Sequence, residues 1–199
     1  MTMDIILVRH ATCARMDEVL LGRTVDVALD QRGEGQASGL ARRLQALPKF
    51  MLESSPRRRA RHTAGIIAAS RDLPVWIVPE FDEIDFGCWS GRSFAALNAD
   101  THWRRWNRYR DVSLTPAGDS IRDVQERALA HFHHLEMHCQ DECVVIVTHA
   151  EVIRSLVLLA SGATPDDYLD VEIAPASITM LNVRGRTLRL AQVNEQVAA

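Results

Sequence analysis

Two short apolar runs in this chain each end on a histidine, and no other feature of the sequence constrains the fold as much. Ile5-Ile6-Leu7-Val8 leads into Arg9-His10, and Cys143-Val144-Val145-Ile146-Val147 leads into Thr148-His149. Continuous apolar runs of this length, bounded by polar residues, read as strands buried on both faces. Further strands are predicted over 50–53, 75–78, 177–183 and 187–193, the last two flanking the hairpin turn Arg184-Gly185-Arg186. Helices are predicted over 33–47, after the turn-like Leu29-Asp30-Gln31-Arg32, and over 57–69, where Ser54-Ser55-Pro56 is a helix-start signal. Another is predicted over 121–135, where Ile121, Val124, Ala128, Phe132 and Leu135 form one apolar stripe, and a last one over 152–160.

Alternation of this kind predicts an α/β fold: a three-layer sandwich with a mostly parallel central sheet and helices on both faces. At 199 residues, with no repeat and no linker, the chain reads as a single domain over 1–199. The stretch 87–120 is rich in Trp, Arg and Asn and only weakly periodic. It is expected to be a cap insertion that folds over one end of the sheet.

In an open parallel sheet, ligands bind beyond the carboxyl ends of the strands. His10 and His149 stand at two such ends, and the basic run Arg57-Arg58-Arg59 follows a third. All three ends can share one rim holding two imidazoles and at least two guanidiniums. Guanidinium forks match phosphate oxygens bidentately, and helix N-termini add backbone donors. A neutral imidazole nitrogen in line with phosphorus is a competent nucleophile, and a nearby carboxyl can protonate the leaving alkoxide. Glu83, in Phe81-Asp82-Glu83-Ile84-Asp85-Phe86-Gly87, is the best candidate for that carboxyl, with Asp82 and Asp85 as rivals. The net charge of −3 gives no overall pull toward nucleic acid or an anionic membrane, so an anion site must concentrate its positive charge locally.

Leu7-Val8-Arg9-His10-Ala11 resembles the RHG motif of the histidine phosphatase superfamily, whose members include the cofactor-dependent phosphoglycerate mutases. Gly22-Arg23 through Leu29 and Gly33-x-x-Gln36-Ala37 resemble the segment that follows that motif. Ser54-Ser55-Pro56-Arg57-Arg58-Arg59-Ala60-Arg61-His62-Thr63-Ala64 resembles the family's SSPxxRAxxTA segment. Glu83-Ile84-Asp85-Phe86-Gly87 resembles the acid segment, and Val147-Thr148-His149-Ala150-Glu151-Val152-Ile153-Arg154 the second histidine segment. Gly118-Asp119-Ser120 stands where many members have Gly-Glu-Ser.

The resemblance implies roles. His10 would be the phosphohistidine nucleophile, Arg9 and Arg59 the phosphoryl clamp, His149 a donor to the same oxygens, and Glu83 the general acid and then base. Arg23 would add to phosphate binding. The family needs no metal, no cofactor is expected for this chain, and the implied partner is a small phosphorylated metabolite, taken by a monomer or homodimer. The length and Phe86-Gly87-Cys88-Trp89 look most like the phosphatase branch, in particular small bacterial phosphatases of the α-ribazole phosphatase kind. The mutases share the pocket but carry a longer segment between acid and second histidine. An adaptor that has lost its catalytic residues is disfavoured, because the whole set is present.

Four departures from the family pattern stand out. Ala11 and Ala150 replace the usual glycines, Met16 replaces a common asparagine, the 22–29 loop is a residue longer, and Glu151 adds a negative charge beside the site.

Other features take plainer readings. His131, His134 and His138 share a helix side, but no carboxylate or cysteine spacing completes a metal site. Arg57, Arg58 and Arg61 read as solvated charges. The four cysteines form no CxxC pair and read as reduced thiols, with packing favoured over redox roles for Cys13 and Cys88. The Met1-Thr2-Met3-Asp4 start lacks a basic leader, and no apolar run spans a bilayer, so a cytoplasmic protein without nucleic-acid or membrane partners is expected. Trp103-Arg104-Arg105-Trp106-Asn107-Arg108-Tyr109-Arg110 reads either as part of the cap, holding an anionic or aromatic leaving group, or as a plain surface helix.

Overall fold

The apolar runs sort their side chains alternately onto two sides of one sheet. Ile5, Leu7, Val144 and Ile146 enter one buried cluster, while Ile6, Val8, Val145 and Val147 enter another. A strand with apolar residues on both faces needs a layer on each side, which is why these runs show no polar alternation. The computed structural model describes residues 3–139 and 143–198, so Met1-Thr2 lie outside the described residues.

The described strands are β1 (Met3–Arg9), β2 (Met51–Ser54), β3 (Val75–Ile77), β4 (Cys143–Thr148), β5 (Ser177–Arg184) and β6 (Thr187–Gln196). Their order across the sheet is β3-β2-β4-β1-β5-β6. The first four run parallel to one another, β5 pairs antiparallel with β1, and β6 antiparallel with β5 at the edge. Helices α1 (Gln31–Leu44) and α2 (Arg58–Ala69) cover one face. The other is covered by α5 (Ile121–His138), α6 (Ala150–Ser161) and the segment carrying α3 (Phe94–Ala99) and α4 (Thr101–Arg108). The architecture is therefore the expected three-layer α/β sandwich with a mostly parallel sheet.

Element ends differ from expectation where capping chemistry outweighs periodicity. Helix α1 begins at Gln31 because the Asp30 side chain accepts from the Gly33 N–H at 2.7 Å. A Cβ on Gly33 would meet the Thr12 carbonyl oxygen at 1.9 Å, so this glycine lets the helix press against the chain just past His10. Helix α5 opens with a capping box between Ser120 and Asp123 and runs past the expected end to His138. At α2 the cap residue is Arg57, which makes no side-chain cap; the Arg57 N–H donates to the Ser55 hydroxyl at 3.3 Å and the Arg58 N–H to Asp26 at 2.9 Å.

The stretch 87–120 is more regular than its weak periodicity suggests. It contains α3 and α4, and its Trp89, Trp103 and Trp106 are buried with Phe86 in one aromatic cluster. No helix among the described residues is long and apolar enough to cross a membrane.

Candidate active site

Parallel pairing of β1 with β4 sets Arg9 opposite Thr148, and the His10 N–H donates to the Thr148 carbonyl at 2.9 Å. The two strands thus deliver His10 and His149 side by side, with ring centroids 5.3 Å apart. Strand β2 pairs on the far side of β4 and carries the chain to Ser55, whose N–H donates to Val147 at 2.9 Å. One helical turn later, α2 places Arg59 between the histidines.

Arg59 is 1% exposed and organises the centre. Its Nε donates to His10 Nε2 at 3.2 Å, and its Nη2 reaches the Gly22 carbonyl at 3.0 Å and His149 Nδ1 at 3.1 Å. His10 Nδ1 lies 2.9 Å from the Ala11 carbonyl, which can only accept. The proton of the neutral ring therefore sits on Nδ1, and the Nε2 lone pair accepts from Arg59 at the cleft. Burial, reinforced by the Arg59 and Arg9 charges, holds His10 well below the usual histidine range and so keeps it neutral. Burial and Arg59 do the same for His149.

The His149 ring is held from behind by Ser55, whose hydroxyl lies 2.7 Å from Nε2. A guanidinium only donates, so Nδ1 accepts from Arg59 and Nε2–H donates to Ser55. Because a hydroxyl can also donate, Ser55 supports the opposite tautomer when Nδ1 must itself donate. Thr63, one turn beyond Arg59, accepts from the Ala11 N–H at 3.1 Å and donates to the Arg59 carbonyl at 2.9 Å. Neither Ser55 nor Thr63 was assigned a role from sequence. Both lie in the motif segment around Arg59, which was the available signal.

Arg9 donates to the Ile173 carbonyl at 2.5 Å and approaches the Met16 sulfur at 3.6 Å. Its Nε and the Nη1 of Arg59 are buried without a hydrogen-bond partner among the described residues. Unpaired buried guanidinium donors are costly unless an anion meets them. Glu83 Oε2 lies 4.0 Å from Arg59 Nη2 and 3.8 Å from His149 Nδ1, while Oε1 accepts from the Ile84 N–H at 3.0 Å. Burial raises the Glu83 carboxyl to about 7, with Arg59 opposing the shift. A carboxyl that titrates there can both give and take a proton near neutrality.

Arg23 is placed differently from expectation. It does not line the cleft. Its Nε donates to the Glu83 carbonyl at 2.6 Å and lies 3.6 Å from Asp82, while Nη1 faces Asp85 at 3.6 Å and Nη2 faces Asp119 at 3.3 Å. Three carboxylates hold it, so it braces the backbone that carries Glu83 instead of reaching phosphate. Asp82 and Asp85, the rival acids, are engaged in this cluster. Arg57 is likewise not a solvated charge: it pairs with Asp82 at 2.9 Å and donates to the Arg23 carbonyl at 2.6 Å.

The departures from the family pattern are accommodated. Positive φ outside glycine occurs at Arg15, Asp72, Ala176 and Asn194 among the described residues, so Ala11 and Ala150 keep ordinary backbone. Glu151 is clamped by Arg110 and by Arg154, the latter at 2.5 Å. Burial pushes its carboxyl up, but the two guanidiniums outweigh that and hold it below the usual range. Arg110 is itself sandwiched between the Trp106 and Tyr168 rings, 4.1 and 3.6 Å from their centroids. Sequence reading found neither Arg110's role nor Tyr168, which comes from a distant 3-10 segment (Pro165–Asp170).

Elsewhere, His131 pairs with Glu53 at 2.9 Å and His134 stacks on His138 with centroids 4.4 Å apart. Among the described residues, no three His, Cys, Asp or Glu side chains are grouped to hold a metal ion. Burial raises the Cys13 thiol to about 11, which disfavours a reactive thiolate beside the site.

Arg9, His10, Arg59 and Glu83 line a cleft of about 790 Å³, and His149 lies buried behind them, in contact with Arg59. Comparison with known proteins places the arrangement in context. The chain is 27% identical over 189 residues to the adenosylcobalamin/alpha-ribazole phosphatase of Escherichia coli (strain K12), covering 92% of this chain and 93% of that protein. It is also 27% identical over 186 residues to a 2,3-bisphosphoglycerate-dependent phosphoglycerate mutase of Nitrobacter winogradskyi, covering 85% and 86%. The phosphoserine phosphatase of Entamoeba histolytica, solved with 3-phosphoglyceric acid, superposes with a TM-score of 0.84 at 26% identity, covering 97% of each chain. The family model for the histidine phosphatase superfamily (branch 1) matches residues 5–196, which takes in every group of the cleft just described. With the match running from the first strand to the last, the chain belongs to that superfamily.

Proposed function

We propose that the protein hydrolyses phosphomonoesters of small metabolites through a phosphohistidine on His10. The observation that carries this reading is the locked geometry of His10: Nδ1 is committed to the Ala11 carbonyl, and Nε2 faces Arg59 from within the cleft. In the first step, Nε2 attacks phosphorus, the P–O bond to the leaving group breaks, and the departing alkoxide takes the proton from Glu83. In the second, Glu83 removes a proton from water, the hydroxide attacks phosphorus, the P–N bond breaks, and inorganic phosphate leaves. Arg9, Arg59 and His149 stabilise the charge on the three non-bridging oxygens through both steps. Losing one such preorganised donor costs roughly 3–4 kcal/mol of transition-state stabilisation. The protein's own groups carry each step, without a metal ion, and residues 87–120 act as a cap within one domain.

The matched mutase supports a second reading, in which the phosphoryl group passes to another hydroxyl instead of to water. The deciding experiment is a quench of the protein with radiolabelled phosphoester. An acid-labile, alkali-stable phosphoenzyme that decays to inorganic phosphate and is absent from His10→Ala supports the phosphatase. Transfer of the label to a phosphoglycerate acceptor supports the mutase. No turnover of any phosphoester between pH 5 and 8 overturns both.

A further inference from the structure

We propose that the cap end of the cleft is a second anion site, in which Arg104 and Arg108 of α4 recognise an acidic group on a bulky, partly apolar leaving group. This rests on the phosphatase reading and adds the class of substrate.

The orientation of α4 is fixed by its tryptophans. Trp103 and Trp106 are buried, packed on Trp89 and Phe86, and their ring centroids lie 5.5 Å apart. With that face held, Arg104, Asn107 and Arg108, at i, i+3 and i+4, line the cleft, and Arg105 does not.

Charge is the second part. Six guanidiniums line the cleft. Arg9 and Arg59 belong to the phosphoryl centre, and Arg110 and Arg154 are both engaged by Glu151. Arg104 and Arg108 face no carboxylate within ion-pair distance among the described residues. Their contacts are the Asn98 carbonyl at 3.4 Å and the Tyr109 ring at 5.4 Å. The remaining acid lining the cleft, Asp166, accepts from the Asp111 N–H at 3.0 Å. Six guanidiniums thus face three carboxylates along the cleft, Glu83, Glu151 and Asp166, so in a protein of net charge −3 the lining keeps a local positive field to which Arg104 and Arg108 contribute.

Size is the third. A cleft of about 790 Å³ falls among those that hold drug-sized ligands and greatly exceeds a phosphorylated three-carbon unit. Val19, Leu20 and Phe94 give it an apolar wall. Such a wall favours a leaving group with a hydrophobic body between its phosphoester and its acid. The acid can be a carboxylate or a second phosphate, since guanidinium recognises both.

The test compares kcat/KM for 4-carboxyphenyl phosphate with that for its neutral relative 4-carbamoylphenyl phosphate, and repeats the comparison on a longer biphenyl spacer. A 1,4-phenylene bisphosphate arm distinguishes phosphate from carboxylate. The anionic ester is expected to be preferred about tenfold at low salt on at least one spacer, the order a charge-assisted hydrogen bond supports. The preference is expected to fall toward unity in the Arg104→Gln/Arg108→Gln double variant and to persist in Arg105→Gln. Equal treatment of acid and amide on both spacers, or a preference that survives the double variant, overturns the proposal. The same ratios measured as dissociation constants by calorimetry decide it even if no ester turns over, a result that would count against the phosphatase reading alone.

Discussion

The Ser55 hydroxyl lies 2.7 Å from Nε2 of His149, inside the protein, where neither group meets solvent. It fixes the ring whose other nitrogen faces Glu83 and Arg59. Replacement by alanine leaves a buried ring nitrogen unpaired and frees the imidazole to rotate. Ser55→Ala is therefore expected to lower kcat roughly ten- to hundredfold, corresponding to about 1–3 kcal/mol. Ser55→Thr, which keeps the hydroxyl, is expected to recover part of that loss. Steady-state kinetics of the two variants, with denaturation midpoints to control for folding, provide the check.

Glu83 titrates at about 7, and its two proposed tasks separate by leaving group. p-Nitrophenolate departs without a proton, so phosphorylation of His10 does not need the acid, while hydrolysis still needs the base. Glu83→Gln is expected to give a stoichiometric burst of p-nitrophenolate followed by turnover slowed about 10²–10⁴-fold, and no burst with an alkyl phosphate. Rapid-mixing absorbance measurements read this directly. A linear time course at the reduced rate would mean that phosphorylation itself has become limiting, against the proposed need for Glu83 in hydrolysis.

The same carboxyl affects stability with a definite sign. Its value rises from an ordinary 4.5 to about 7 on folding, so between these limits the folded state binds more protons than the unfolded. The resulting stabilisation is complete below the lower value and is lost as pH rises through the upper. Glu83→Gln, which stays neutral, is expected to show a smaller drop in urea midpoint between pH 5 and pH 8 than the parent protein.

Two glycines of α1 are predicted to respond oppositely to alanine. At Gly33 the new Cβ would sit 1.9 Å from the Thr12 carbonyl oxygen, so the helix must shift from the segment that follows His10. Gly33→Ala is expected to cost about 1–3 kcal/mol, as overpacking does, and to lower activity with it. Gly35 has nothing within 4 Å of that position, and Gly35→Ala is expected to stabilise by about 0.4–1 kcal/mol through the unfolded chain and helix propensity. Urea midpoints measure both.

Arg110 ties the segment bearing α4 to α6 through Glu151 and to the 3-10 segment through Tyr168. Arg110→Met keeps the apolar packing but leaves Glu151 with Arg154 alone. A loss of about 3–5 kcal/mol is expected from breaking a buried pair. The Arg110→Met/Glu151→Gln double variant is expected to recover part of it. Additive losses in that cycle would mean the two side chains act independently.

Much of the site was legible because its motifs coincide with strand ends. His10 and His149 close runs so apolar that only buried strands accommodate them, and parallel pairing then sets the two side by side. The basic run after a third strand pointed to guanidiniums at the same rim, and the resemblance of its segment singled out Arg59, as the acid segment did Glu83. Arg23 was misread because proximity in the motif says nothing about competition: Asp82, Asp85 and Asp119 surround it and turn it toward the Glu83 backbone. Ser54-Ser55-Pro56 was legible only as a helix start; the Ser55 hydroxyl does meet the Arg57 N–H there, but its contact with a buried histidine from another strand left no local signal.

The sequence by itself determined the layered α/β fold and the chemistry-bearing residues, since both rest on short-range pattern: apolar runs for strands, stripes for helices, and ordered motifs at their ends. Only the tertiary structure decided which nitrogen of His10 faces Arg59, where Glu83 titrates, and how Glu151 is neutralised. Those properties arise from burial and from partners distant in the chain, 49 positions apart for His10 and Arg59 and 41 for Arg110 and Glu151, and no local pattern encodes such meetings.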